Sequence, residues 1–398
     1  MGSRQTLELD QSNPISDIYI HLNLKFSTAP VIASSFSNIA RLDSILNAVR
    51  RVQLACDDGT GSTNKVDISG LGLLEWNLRN GESLTRSTHE LAKFMQLGAG
   101  TTIGANNDLL RLTYHIPMVH QKITENLRTR CLLPAHILSS EPQLIIDFEN
   151  ISTMFPSTGT IATALCDVEI VRRRMPKSMT AAIQAKGGFI DWDLLETPKV
   201  VAAAQKQMEF KLPTGGSYTG VMLRNYLLAS SVYTRDPLDD TSTFGQESRW
   251  ILDIGGQKWA DFRMHNMFAE NEIAQDEPRY GQPVYNGSAL YLGASTGTFA
   301  TGVDIRTVLA DPCAYPFLGT SGNGAQTSRF QAAGNVYFDF IGGENDADVY
   351  ELGSLLDTNA IKQAGTDAKF VGDVTTGQMN IVGHRLFGDL SAFQDMSI

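Results

Sequence analysis

Apolar and polar residues alternate along most of this chain. In residues 18–26 every second side chain is apolar, and the pattern returns at residues 52–56, 110–116 and 144–148. A period of two is the signature of a β-strand that buries one face. Helical signals are few, and the best is a capping-box sequence at residues 87–90 whose apolar continuation ends at Gly98. The pattern predicts an all-β protein with a few short helices.

The second half of the chain repeats the strand patterns of the first half in the same order. Four pairs of segments match, with offsets of 186, 198, 224 and 218 residues. The matched residues are Leu22, Leu24 and Phe26 with Met208, Phe210 and Leu212; Val52, Leu54 and Cys56 with Trp250, Leu252 and Ile254; Leu112, Tyr114 and Ile116 with Val336, Phe338 and Phe340; and residues 157–161 with residues 375–379. Alternating strands resemble one another by default, but four matches in one order predict a structural repeat.

The offsets also show where the two halves differ. The large step falls between Leu252 and Val336, which predicts an insertion of about two dozen residues in the second half. It lies within about residues 265–334, which are rich in Gly, Ala, Ser, Thr and Asn, and we expect a long loop excursion at the surface. The strand pattern is interrupted near Pro176 and Gly187, so the predicted domains are residues 1–180 and 181–398. About eight short strands in each half suit two tandem jelly-roll β-sandwiches.

Composition is that of a globular protein without a nucleic-acid-binding surface along its length. With 398 residues the chain exceeds what one core usually serves, and its net charge of −11 disfavours wrapping nucleic acid. Neither a signal peptide nor an apolar span is recognisable, which predicts a reducing, soluble compartment. The cysteines form no CxxC pair and are expected in the core. The tryptophans are most simply core residues as well, and a fraction of the aromatic side chains is expected to line subunit contacts. The cysteines are Cys56, Cys131, Cys166 and Cys313, and the tryptophans are Trp76, Trp192, Trp250 and Trp259.

One pattern points to hydrolase chemistry. Residues 293–297 read Gly-Ala-Ser-Thr-Gly and match the nucleophile elbow around Ser295, and Asp304 and His384 follow in the order of a catalytic triad. The elbow needs a helix directly after the serine, whereas residues 298–303 form a poor helix. A surface loop rich in Gly, Ser and Thr is therefore the favoured interpretation.

Three further patterns are weighed against structural explanations. His115 and His120, with Glu125 beyond, are candidates for a metal site of the cupin type, but strand residues five apart point to opposite faces. The glycine-rich residues 319–327 lack the lysine and hydroxyl of a phosphate-binding loop. The basic residues 172–177 would suit phosphate groups of lipid or nucleic acid, but a solvated strand end is favoured. We assign no catalytic, cofactor-binding or metal-binding residue and predict no enzyme.

Two jelly rolls in one chain of this length resemble the double jelly-roll major capsid proteins of tailless icosahedral viruses, the tectivirus–adenovirus lineage. Two stretches carry the resemblance. Residues 110–117 form an alternating strand closed by Pro117, and residues 130–134 then lead to a second strand at residues 143–150. The family has no invariant catalytic or ligand residue, so only its architecture is carried over.

The resemblance implies a viral major capsid protein that forms homotrimers with a pseudo-hexagonal outline, which tile an icosahedral shell. Its partners would be itself and the vertex and minor capsid proteins, with an internal viral membrane in part of the family and no sequence-specific nucleic acid. It would be made in the host cytoplasm, reside in the virion and belong to a virus of bacteria or archaea, with the insertion forming an outward tower. Two alternatives remain: a two-sandwich carbohydrate-binding or adhesin-like module, and an esterase centred on Ser295.

Overall fold

The structure is a computed structural model dominated by β-strands. It describes residues 2–28, 48–57, 59, 61–80, 109–118, 129–150, 160–185, 188–203, 205–229, 232–235, 249–263, 314–318, 327–332, 335–340, 355–374 and 377–388. The all-β prediction is confirmed, since helices among these residues are few and short.

The first half forms two sheets that pack face to face. Its strands are β1 (Arg4–Glu8), β2 (Ile15–Thr28), β3 (Val49–Asp57), β4 (Ser62–Ile68), β5 (Leu109–Pro117), β6 (Gln143–Phe148) and β7 (Thr160–Arg172). Helix α1 (Gly70–Arg79) follows β4, and a 3₁₀ turn (Ala135–Ile137) precedes β6. One sheet has the order β1-β6-β3-β4 and the other β5-β2-β7. Strand β2 shows why the alternation works: its apolar residues at positions 18, 20, 22, 24 and 26 are at most 1% exposed and form part of the core between the sheets.

The second half has the complete strand order of a jelly roll. Its elements are α2 (Lys177–Ala185), β8 (Asp191–Val201), β9 (Gln205–Lys211), β10 (Ser217–Ala229), β11 (Val232–Arg235), β12 (Arg249–Ile254), β13 (Gln257–Arg263), β14 (Ala314–Leu318), β15 (Thr327–Ala332), β16 (Asn335–Asp339), β17 (Leu356–Asp357), α3 (Thr358–Gln363), β18 (Ala368–Val374) and β19 (Gly377–Phe387). One sheet runs β8-β19-β10-β16, with β11 and β17 as short additions to β10, and the other runs β9-β18-β12-β13. Numbered along the chain, the eight main strands lie in the orders 1-8-3-6 and 2-7-4-5, as in a jelly roll.

The first half follows the same plan with one difference. Strands β1 to β7 take the second to eighth places of the jelly roll, because β3 and β4 form the hairpin that β12 and β13 form in the second half. Among the described residues no strand takes the first place. The sheet β5-β2-β7 therefore has three strands, and no described strand pairs with the outer edge of β7.

Three of the four matches in the predicted repeat are confirmed by the sheet order. Strand β3 corresponds to β12, β5 to β16, and the start of β7 to the start of β19. The match of Leu22, Leu24 and Phe26 with Met208, Phe210 and Leu212 is wrong. Strand β2 takes the third place in its jelly roll, whereas β9 takes the second place, so the counterpart of β2 is β10. The alternation tells which side chains are buried and not which sheet a strand joins.

Several predictions fall partly or wholly outside the described residues. Most of residues 265–334 lie outside them, but β14 and β15 pair as an antiparallel hairpin, so the insertion is more than a loop. The capping box at residues 87–90 lies outside, and the sequence patterns did not predict α1. The proposed domain boundary at residues 180 and 181 falls within α2 and stays a prediction.

Three of the four tryptophans lie in the core, and the fourth is exposed. Trp76, Trp192 and Trp250 are at most 3% exposed, whereas Trp259, on the end strand β13 of its sheet, is 62% exposed. Among the described cysteines Cys56 and Cys131 are buried, but Cys166 on the edge strand β7 is only half-buried.

Candidate functional site

The two halves of the chain are joined edge to edge by one parallel strand pair. Val66 of β4 lies beside Leu194 of β8, and both side chains are buried. The pairing merges one sheet of each half into a single ten-stranded sheet. Next to the pair, Lys65 forms an ion pair with Asp191 at the start of β8. The junction is thus built from backbone pairing, apolar contact and charge together.

A shared apolar core holds the halves together beneath this sheet. Trp192 of β8 packs into the core of the first half, and its indole N–H donates to the carbonyl oxygen of Cys131 at 2.8 Å. From the second half, the hydroxyl of Tyr337 donates to Asn80 Oδ1 at 3.1 Å, and its ring meets Trp76 edge-on at 5.4 Å. Aromatic side chains of both halves therefore pack together in one continuous apolar core.

A buried cluster of charges lies at the same junction. The guanidinium of Arg224, on β10, contacts Glu75 of α1 and Glu196 of β8, and these three side chains are 1%, 1% and 6% exposed. Ser69 also caps α1, since its hydroxyl accepts from the N–H of Gly72 at 3.1 Å, and the same hydroxyl lies 3.0 Å from Arg224 Nη1. The N–H of Ser69 donates to Glu196 Oε2 at 2.6 Å. One arginine therefore connects the helix of the first half to two strands of the second.

A cleft of about 410 Å³ opens beside this cluster, between β4 and β8. Its wall carries Arg51, Asp67, Asp147 and Glu196. Arg51 and Asp67 pair with each other, with Arg51 Nη2 donating to Asp67 Oδ2 at 2.8 Å, and this hydrogen bond raises the pKa of Arg51. Charges of both signs line the cleft, and these four side chains each have an ionic partner, so the cleft favours no particular ionic ligand.

A second buried ion pair connects β8 and β19. Arg385 holds Asp193 through two parallel hydrogen bonds of 2.9 and 2.5 Å. Burial raises the pKa of Asp193, while Arg385 acts in the opposite direction. The neighbouring His384 has Nδ1 at 2.7 Å from Thr219 Oγ1 and stacks on Trp192, and burial lowers its pKa to about 3. His384 is therefore neutral at pH 7 and packs as part of the core.

The described part of the structure does not bring together the residues considered for a catalytic triad or for a metal site. Ser295 and Asp304 of the proposed triad lie outside them. Of the metal candidates, His115 has Nε2 at 2.9 Å from Asp17 Oδ1, whereas His120 and Glu125 lie outside. Within the described segments no group of three or more His, Cys, Asp or Glu side chains is placed to hold a metal ion.

Arg172, the first residue of the basic segment at residues 172–177, pairs with an acidic residue of the same chain. Arg172 Nη2 lies 2.9 Å from Asp10 Oδ2, and Arg172 Nη1 donates to the carbonyl oxygen of Asp10. This contact fits the favoured interpretation of a strand end with an acidic neighbour. No helix in the described ranges is long and apolar enough to cross a membrane.

Sequence reasoning missed the junction cluster, although a signal was present. Arg224 stands in the apolar run Val-Met-Leu-Arg-Asn-Tyr-Leu-Leu, and Glu75 stands in the apolar run Leu-Gly-Leu-Leu-Glu-Trp. A charge within an apolar run indicates a buried ion that needs a partner. The run does not reveal that the two are partners, since they lie 149 residues apart.

The fold is a double jelly roll, and solved structures share it. No protein-family model and no curated protein matches the sequence. The major capsid protein of STIV is similar over 100% of this chain and 95% of its own, at 12% identity and a TM-score of 0.55. The major capsid protein P2 of bacteriophage PM2 is similar over 97% of this chain and 92% of its own, at 10% identity and a TM-score of 0.45. At 12% identity the likeness to the STIV major capsid protein shows the fold alone, and function is a separate inference.

Proposed function

We propose that this chain is a viral major capsid protein that forms homotrimeric capsomers and tiles an icosahedral shell. The observation that carries the proposal is the pair of jelly rolls joined side by side through the β4–β8 junction. The end-to-end fold likeness to the STIV major capsid protein supports it. The chain works by assembly and not by catalysis.

The geometry suits a ring of three copies. Each chain supplies two jelly rolls of the same plan, so three chains supply six similar wedges around one axis and give a pseudo-hexagonal outline. Head-to-tail contacts between identical subunits close into a ring when the rotation between neighbours fits. An obligate trimer of this kind buries on the order of several thousand Å² of surface.

The wider setting is proposed on the same basis. The trimers would contact one another laterally and meet vertex and minor capsid proteins, and in some shells an internal membrane. The protein would be made in the cytoplasm of a bacterial or archaeal host and end in the virion. The net charge of −11 agrees with a protein that does not read nucleic acid.

Native mass spectrometry tests the proposal directly. A trimer has three times the monomer mass of 43.5 kDa, and electron microscopy of the same sample is expected to show six-sided particles. A protein that stays monomeric at micromolar concentration would contradict the capsid function. Glycan-array binding by that monomer would instead favour the carbohydrate-binding alternative.

A further inference from the structure

The hairpins β3–β4 and β12–β13 are built alike, residue for residue. Val52 and Leu54 of β3 face Ile68 and Val66 of β4, and Trp250 and Leu252 of β12 face Phe262 and Ala260 of β13. The register shifts directly after the second pair in both hairpins. By this register Asp67 corresponds to Asp261, and Lys65 corresponds to Trp259.

The two corresponding positions have different surroundings. In the first half Lys65 reaches across the junction to Asp191, because β8 lies beside β4. In the second half β13 ends its sheet, and no described strand lies beyond it. Trp259 is 62% exposed there, although its ring lies 6.1 Å from that of Phe340. A large aromatic side chain thus occupies the position that makes the contact between halves in the first hairpin.

The outer edge of β7 is the second unusual surface. Its counterpart β19 is covered by β8, and Met379 and Ile381 of β19 are buried. On β7 the core-facing Cys166, Val168 and Ile170 are only partly buried, since no described strand covers their edge. On the opposite face of β7, Leu165 is 57% exposed. Backbone groups along such an edge are available to another strand.

We propose that β13 of one copy docks against the outer edge of β7 of a second copy, with Trp259 at the centre of the contact. Within one chain, β4 of the first jelly roll approaches the side of the second jelly roll on which β8 covers β19. The same step taken from the second jelly roll onto the next copy brings β13 to the β7 side. No described strand takes the place of β8 there, so β13 docks on β7 by lying one strand width, about 4.8 Å, closer to β7 than β4 lies to β19. This inference rests on the proposed trimer and identifies its contact surface.

Strand direction and charge agree with this docking. Strand β4 runs parallel to β8, and β8 runs antiparallel to β19, so β13 approaches β7 in the antiparallel sense. Antiparallel strands pair directly through their backbones. Strand β13 has two cationic residues and one acidic residue, whereas β7 has two acidic residues and one cationic residue. Aromatic residues such as Trp259 are enriched in protein interfaces.

Photo-cross-linking on the full chain tests the contact. Trp259 is replaced by benzoylphenylalanine, which keeps an aromatic ring, and ¹⁴N-labelled and ¹⁵N-labelled proteins are mixed and allowed to exchange before irradiation. We expect cross-links between differently labelled chains that map to residues 160–172. The matched control places the same group at Val200, which is 67% exposed on β8 and is expected to give no cross-link to that strand. Cross-links from position 259 to other surfaces, or only within one chain, would overturn the assignment.

Charge substitutions give an independent readout. Trp259→Asp and Leu165→Asp are each expected to weaken the trimer by about tenfold or more, which corresponds to about 1.4 kcal/mol. Val200→Asp is the control, and circular dichroism confirms that each variant is folded. A wild-type monomer would overturn the proposed function itself. A wild-type trimer whose dissociation is unchanged by both edge variants would overturn only this docking surface.

Discussion

Replacing Arg224 by methionine is expected to destabilise the whole chain severely. Methionine is close to arginine in length but cannot donate to a carboxylate, so the variant removes the cation and leaves the packing largely in place. Glu75 and Glu196 would then remain at the junction, 1% and 6% exposed, without the guanidinium they share. The Arg224→Met substitution therefore measures how much the free energy of unfolding falls when two buried carboxylates lose their cation.

The expected cost follows from this burial. Removing one partner of a buried ion pair typically costs about 3–5 kcal/mol, because the remaining charge is neither hydrated nor paired. The apolar core at the junction contains residues of both halves, so we expect one unfolding transition. With an unfolding entropy of about 2.1 cal/mol/K per residue, a chain of 398 residues would lose about 4–6 °C in Tm.

Differential scanning calorimetry of the wild type, Arg224→Met and two reference variants measures this effect. Arg4 pairs with Asp147 at the surface, where the two side chains are 58% and 30% exposed. Arg4→Met is therefore expected to lower the free energy of unfolding by less than about 1 kcal/mol. A triple variant with Arg224→Met, Glu75→Met and Glu196→Gln removes all three charges and should recover most of the lost stability. If Arg224→Met melts no lower than Arg4→Met, the assignment of a buried charge cluster is refuted.

Three further predictions concern other parts of the core. The pKa of His384 is lowered to about 3 in the native state, whereas in the unfolded chain it is about 6.5, so only the unfolded chain takes up this proton as the pH falls. The free energy of unfolding should therefore decrease by about 2 kcal/mol between pH 7 and pH 5 on account of this residue. Denaturant titrations of His384→Gln at the two pH values should show a pH dependence that is smaller by this amount. A Cβ at Gly372 would lie 2.3 Å from Trp250 Cδ2, so Gly372→Ala should lower the unfolding free energy by about 1–3 kcal/mol in the same titrations, and an unchanged midpoint would show that the ring can move aside. Burial raises the pKa of Cys56 and Cys131 to about 12 and that of Cys166 to about 11, so in Cys313→Ser protein a thiol reagent at pH 8 should react slowly with native protein and rapidly after denaturation.

The strands and much of the repeat could be predicted from the sequence because alternation records burial directly. Residues 18–26 form the centre of β2, and the matched triplets of β3 and β12 occupy the same place in their hairpins. The partner of each strand could not be predicted. Strands β2 and β9 carry similar patterns but lie in different sheets of their jelly rolls, since the pattern is local and sheet order depends on distant residues.

The candidate site shows the same division. Arg224 within an apolar run indicates that a buried partner is needed, but only the fold brings Glu75 and Glu196 to it. Trp250 and Trp259 lie on strands of one hairpin, yet one is fully buried and the other is 62% exposed. Their difference is set by whether a strand or another layer covers them, which composition and periodicity do not record.

Stability and geometry are separate contributions of the junction. Apolar contacts such as those of Trp76 and Tyr337 resist separation of the halves but tolerate small rotations, because dispersion depends weakly on direction. The contacts of Arg224 depend strongly on direction, since a planar guanidinium presents its donors in a fixed fork. Ring closure by repeated head-to-tail steps requires a fixed angle between neighbouring jelly rolls. The triple variant lacks these charges but keeps most of its stability. It is therefore expected to fold but to close into trimers less well than the wild type, which separates the role of Arg224 in assembly from its role in folding.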